Sequence, residues 1–117
     1  MKPEVLKQLG GISTATLTMQ LLKRGLRNCF IVGARPLNPS TCHFAAQAYT
    51  LRFIPMREDL SRVEVLGDPE YPPRKAVEDI PPGQAMVIDA RGETGAGVIG
   101  DILAARLQER GIAAIVS

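Results

Sequence analysis

The chain has 117 residues, 45% of them hydrophobic and 22% charged, the length and balance of about one globular domain, which excludes two full domains and a disordered tail. Fourteen Lys and Arg against twelve Asp and Glu leave a net charge of +2, with no basic run longer than the pairs Lys23-Arg24 and Arg74-Lys75. Direct nucleic-acid binding, which needs a concentrated basic face, is therefore not expected. Apolar stretches such as residues 112–116 fall far short of the roughly 20 residues that span a bilayer. Met1-Lys2-Pro3-Glu4 lacks the apolar segment of a signal peptide, so a cytoplasmic location without membrane contact is expected.

Pro3, placed where a helix has no use for an N–H, opens a short helix over residues 4–9 that the Gly10-Gly11 pair stops. Ser13 or Thr14 caps a second helix, with Leu17 and Leu21 four apart, Lys23 and Arg24 in its last turn and Gly25 as its stop. Residues 29–32 are a short apolar run before Gly33 and read as a buried strand, after which Pro36 and Pro39 break the pattern. Cys29 and Cys42 have no Cys-x-x-Cys spacing and His43 is the sole histidine; neither a disulfide framework nor a zinc site is indicated, and buried thiols are expected. Residues 46–54 alternate, with Tyr49, Leu51 and Phe53 on one face and Ala48, Thr50 and Arg52 on the other, as a half-buried strand does.

Residues 57–74 are charged, carry Pro69, Pro72 and Pro73, and read as a surface excursion. A short helix over residues 75–80 meets the Pro81-Pro82-Gly83 turn, and residues 85–90 form an apolar strand ending near Asp89. After a glycine-rich loop over residues 91–97, a helix over about residues 99–110 places Ile99, Ile102, Leu103 and Leu107 on one face. Asp101 stands at its positive end, Arg106 and Arg110 near its negative end, and Gly111 is its stop. Arg106 falls inside the apolar stripe and has to snorkel. Residues 112–116 make a last strand. Strands alternating with helices give an α/β class, with residues 1–117 as one domain.

The chemistry-bearing segment is Gly95-Ala96-Gly97-Val98-Ile99-Gly100, a G-x-G-x-x-G string after a strand and before a helix. In a dinucleotide-binding fingerprint the first Gly follows the strand almost directly, whereas Arg91-Gly92-Glu93-Thr94 intervene here, and no acidic residue ends the next strand. A dinucleotide-binding module is thus the weaker alternative. The broader reading is that backbone amides at a helix start bind a carboxylate or phosphate, glycines allowing close approach. Against it stands the plain reading of a long turn into a packed helix. Asp89, Arg91 and Glu93, like Arg57, Glu58 and Asp59, read as solvated charged turns rather than catalytic clusters.

Five blocks in order, Ile12-Ser13-Thr14-Ala15-Thr16-Leu17, Ala48-Tyr49-Thr50-Leu51-Arg52, Pro82-Gly83-Gln84-Ala85-Met86-Val87-Ile88-Asp89, Gly100-Asp101-Ile102-Leu103-Ala104-Ala105-Arg106-Leu107 and Arg110-Gly111-Ile112-Ala113-Ala114-Ile115-Val116, carry a resemblance. The chain resembles the N-terminal half of the family of 4-hydroxy-4-methyl-2-oxoglutarate aldolases, with oxaloacetate decarboxylase activity, and regulators of ribonuclease E activity. The resemblance implies a swivelling β/β/α layered domain, incomplete here, and trimers or pairs of trimers with sites between subunits. It implies that Gly100, Asp101, Ile102 and Leu103 present backbone amides to the carboxylate of pyruvate or oxaloacetate. It implies further a divalent metal, Mg²⁺ or Mn²⁺, which withdraws charge from an α-keto acid as carbon–carbon cleavage leaves a pyruvate enolate.

The family's Asp-Gly-x-x-Arg-Asp motif supplies an Arg that steadies the enolate and an Asp that holds the metal, and the sequence stops at Ser117 before it. No catalytic or metal-binding residue is therefore assigned, and the isolated chain is expected to be inactive. Met19-Gln20 and Ala46 replace an Asp and a Gly common in the family. The alternative role implied by the resemblance is that of a regulator binding a ribonuclease E-type protein. An isolated half is also expected to expose strand edges and apolar surface.

Overall fold

A computed structural model describes residues 1–117. They form two compact units, Met1–Ala46 and Gln47–Ser117.

The first unit holds two helices, α1 (Pro3–Gly10) and α2 (Thr14–Lys23), and a single 3-10 turn over Pro39–Thr41. Proline opens α1, and Ser13 caps α2 by accepting the Thr16 N–H at 3.2 Å. Gly25 takes φ +81° just past α2, the left-handed conformation in which glycine ends a helix. Residues 29–32 are not a strand, contrary to the sequence reading, and Val32 is 88% exposed. The apolar run finds no neighbouring strand in this unit, and an extended segment without a ladder partner gains nothing from becoming β. Cys29 and Cys42 are free and exposed rather than buried, because the unit encloses no core around them. His43 reaches the Gly10 carbonyl through Nε2 at 2.5 Å.

The second unit is α/β. Strands β1 (Ala48–Arg52), β2 (Ala85–Asp89) and β3 (Ala114–Val116) form a parallel sheet in the order β1-β2-β3, with Tyr49 beside Met86, Leu51 beside Ile88, and Met86 beside Ile115. Parallel neighbours need crossovers: α3 (Val63–Gly67) and α4 (Pro72–Asp79) link β1 to β2, and α5 (Asp101–Glu109) links β2 to β3. The core lies between the sheet and the packed pair α4 and α5. Ala76 and Val77 from α4, Ile80 just past its end and Leu107 from α5 meet Met86 and Ile88, with Tyr49, Leu51 and Phe53 packed around them. The alternation of β1 therefore faces as its sequence implies.

Two helix starts and one side-chain partner differ from expectation. The prolines taken as signs of an irregular excursion open α4, since the first helical positions require no N–H, and α3 interrupts the same excursion. Helix α5 starts at Asp101, so Val98 and Ile99 pack from the preceding loop while Ile102 is 78% exposed instead of lying on the buried stripe. Arg106 has a charged partner on the neighbouring helix. Its Nε and Nη2 each donate to Glu78 of α4 at 2.9 Å, a two-pronged pair across the helix interface.

Candidate functional site

The direction of the chain fixes where α5 begins. β2 ends at Asp89, residues 90–100 follow, and α5 must run back so that β3 can start beside Ala85. The start of α5 consequently stands at the carboxyl edge of the sheet, the edge at which open α/β sheets bind ligands. Gly100 is the N-cap, extended at φ −95° and ψ 167°, and the first helical bond runs from Ala104 N–H to its carbonyl at 2.9 Å. The amides of Asp101, Ile102 and Leu103 precede that bond and have no partner within the helix, the arrangement that gives a helix start its affinity for anions.

The Asp101 carboxylate is turned back on this start. Its Oδ1 accepts the Ile102 N–H at 2.8 Å, whereas like-charge repulsion predicts a side chain directed away from an anion site. The partial positive charge of the helix start attracts the nearest carboxylate, which is that of Asp101 itself. The four sequence-predicted residues, Gly100, Asp101, Ile102 and Leu103, thus come together on one helix turn, with one amide engaged internally.

They line a groove of about 530 Å³ whose opposite wall is built by α3 and the start of α4. Phe53, Val63, Leu66 and Val98 make most of it apolar, and its polar side chains are Tyr71, Arg74 and Asp101. Tyr71 and Arg74 are not among the site residues that the sequence reading names. Both lie at the Pro72-Pro73 pair, and recognising that pair as a helix start, with Arg74 in its first turn, is the signal that finds them.

The neighbouring loop is held by its own charges. Asp89 lies at the edge; the Arg91 N–H at 2.9 Å and, secondarily, Arg52 Nε at 3.0 Å keep its carboxyl below the usual aspartate range. Glu93 Oε1 accepts the Gly95 N–H at 2.7 Å. Arg57 pairs with Asp59. Asp89 thus joins the loop to β1 through Arg52, whereas Glu93 and Asp59 bond within two residues of themselves. The strand-to-helix connection over residues 90–100 is long, unlike the tight turn that brings a dinucleotide pyrophosphate onto a helix start.

The donor set for a divalent metal is not assembled. Mg²⁺ and Mn²⁺ require several oxygen ligands. The groove offers only the carboxylate of Asp101, which holds an amide, and no group of three or more His, Cys, Asp or Glu residues converges anywhere in the chain. The residues present do not fit the metal.

An α/β unit with a glycine-started helix at the carboxyl edge of its parallel sheet is the architecture, and comparison with known proteins gives its family. The family model RraA-like, described as Aldolase/RraA, matches residues 14–117, and the chain belongs to that family. The chain is similar to Streptomyces coelicolor RraAS2, whose crystal structure is described as that of an unusual member of the RNase ES inhibitor RraA protein family. The two share 26% identity and a TM-score of 0.75 over 98% of this chain and 52% of that one, so the chain spans about half the length of this relative. No curated protein matches the chain. The family includes aldolase/decarboxylase and ribonuclease E regulator members, and divalent-metal dependence is common in it. No helix is long and apolar enough to cross a membrane.

Proposed function

We propose that the chain contributes the carboxylate-binding half of an aldolase or oxaloacetate decarboxylase-type site, the backbone amides of Gly100, Asp101, Ile102 and Leu103 receiving a small α-keto acid such as pyruvate. The observation that carries this reading is the helix start at the carboxyl edge of a parallel sheet, open to a groove. In this role the amides bind and orient the carboxylate, and the apolar wall of Phe53 and Val98 limits water around it. The metal, Mg²⁺ or Mn²⁺, and the Arg that steadies an enolate come from outside these 117 residues. The family match across residues 14–117, which includes parts of both units, supports reading them as one layered domain of the swivelling β/β/α type. Trimeric assembly in the cytoplasm accompanies this reading.

The test is a titration of the ¹⁵N-labelled chain with pyruvate and with oxalate. Saturable shifts confined to the amides of residues 100–103, lost in Gly100→Pro, are expected. Shifts spread evenly over the surface, or none at these residues, would refute the reading.

The likeness to RraAS2 favours a second reading, a regulator that binds a ribonuclease E-type enzyme. It predicts inhibition of such an enzyme by the chain and requires no anion at α5. Inhibition unaffected by Gly100→Pro would select it over the first.

A further inference from the structure

The first unit builds an apolar groove that the chain itself does not cover. Gly25 turns the backbone at the end of α2: its N–H and that of Leu26 donate to the Leu22 and Leu21 carbonyls at 2.9 and 3.0 Å, which brings residues 26–32 back beside the helix. Ala15, Met19 and Leu22, spaced four and three apart on one face of α2, form one wall, and Leu26, Phe30 and Val32 form the other. The groove measures about 750 Å³ and follows α2 for about 10 Å, or two helical turns. Met19 is 53% and Phe30 59% exposed. The apolar run over residues 29–32, which has no strand partner, is thereby accounted for as part of a wall.

Charge decides what fits there. In Met1–Ala46 the sole acidic residue is Glu4, against Lys2, Lys7, Lys23, Arg24, Arg27 and Arg35. Arg27 lines the groove, Lys23 and Arg24 follow Leu22 at the end of α2, and no carboxylate lies in the lining. None of the chain's ion pairs involves a residue of this unit. A second copy meeting the groove with the same basic face brings like charges together, which opposes pairing. A nucleic-acid strand asks for a row of cations and several aromatic platforms, and the lining offers Arg27 and Phe30 alone. A helix with apolar residues at i, i+3, i+4 and i+7 and carboxylates beside them matches both the spacing of the wall and its charge.

We propose that the groove between α2 and residues 26–32 is a docking site for an acidic amphipathic helix of a partner protein. Its apolar stripe enters between the two walls, and its carboxylates face Arg27, Lys23 and Arg24. The apolar anchors supply most of the affinity, and the cations rank partners by charge. The proposal goes beyond the carboxylate-binding reading of α5 and requires neither an anion nor a metal there.

The experiment titrates the full ¹⁵N-labelled chain with a helical peptide of about 14 residues carrying Leu at i, i+3, i+4 and i+7 and Glu at the flanking positions. The comparison probes are the same peptide with Lys for Glu, a scrambled Glu peptide without the Leu spacing, and oligouridylate. Saturable shifts confined to residues 14–32 are expected with the Glu peptide, which should bind at least about fivefold more tightly than the Lys peptide and more tightly than the scrambled one. Arg27→Glu should weaken the Glu peptide and strengthen the Lys peptide, closing the gap between them by about fivefold, a change of opposite signs that unfolding does not produce. Met19→Gln, at an exposed position, should weaken both peptides alike. Equal affinity for the Glu and Lys peptides, or for the ordered and scrambled ones, would overturn the proposal, as would an absence of shifts at residues 14–32. Tighter binding of oligouridylate would assign the groove to single-stranded RNA, and self-association lost in Met19→Gln without any response to peptide would assign it to a second copy; either result overturns the proposal.

Discussion

Asp101 provides the sharpest test of the helix-start reading, because its carboxylate lies on the amide that an incoming anion would use. An anion resting on the same turn sits about 5 Å from the Asp101 charge, and at the dielectric of water two unit charges at that separation repel by about 0.8 kcal/mol. Asp101→Asn removes the repulsion and should tighten pyruvate binding about fourfold at low ionic strength. Asp101→Ala should tighten it further, since the Ile102 N–H is then released. Raising the salt to 1 M shortens the screening length to about 3 Å and should remove most of the gain from Asn. The cost falls on the helix: an acidic residue in the first turn stabilises α5, so both variants should unfold at slightly lower temperature. Affinity is read by NMR titration well below the unfolding transition. Unchanged or weakened binding in Asp101→Asn at low salt would refute the placement of the anion on this turn.

Three further outcomes follow from named contacts. The 117-residue chain with Mg²⁺ and oxaloacetate should show no decarboxylation above the metal-only rate, since no carboxylate cluster in it holds the metal; turnover lost on Gly100→Pro would disprove this. Gly100→Ala should leave the fold intact, because a Cβ there meets nothing within 4 Å and φ is negative, yet weaken pyruvate binding by crowding the ligand; an unfolded variant would show that Gly100 serves the backbone instead. Glu78, held below the usual glutamate range chiefly by the Arg106 hydrogen bond, contributes stability that is full above its unfolded value and is lost as pH falls through the depressed folded one. The melting-temperature gap between the chain and Glu78→Gln should therefore close on acidification; a gap that is the same at low pH would remove the ion pair as its cause.

How far the fold was legible depends on where the information resides. Ser13, Gly25 and Gly111 mark helix ends through local chemistry, a side-chain acceptor in one case and left-handed φ values of +81° and +72° in the others, and local chemistry can be read in a sequence. The alternation of β1 and the apolar run of β2 are likewise visible, because burial on one or both faces writes its period into the residues. Residues 29–32 look the same as β2 by composition and are not a strand. What separates them is a neighbour: β2 has β1 and β3 on its two sides, and pairing is a property of the assembled sheet. The Pro72-Pro73 pair failed as a signal for the opposite reason, since proline both breaks helices and begins them, and only the presence of Ala76, Val77 and Ile80 as a buried face decides which.

For the site, the glycine-led turn of Gly100, Asp101, Ile102 and Leu103 was visible because strand, loop and helix follow one another in the chain. Its opposite wall was not, for Tyr71 and Arg74 precede it by about 30 residues and reach the groove only through the β1-to-β2 crossover. The same distinction explains Arg106. Counted along α5 alone it interrupts an apolar stripe; with α4 alongside, it finds Glu78, 28 residues earlier, and the stripe resolves into Leu103 and Leu107 facing the core. An arginine that interrupts the apolar stripe of one helix is thus a pointer to a carboxylate on the next. Arg110, the residue just past the same helix, donates to both Glu78 at 3.3 Å and the Ile80 carbonyl at 3.2 Å. The two arginines fasten α5 to α4 at its C-terminal end, while Val98, Ile99 and Leu103 pack its start against the core beside the groove.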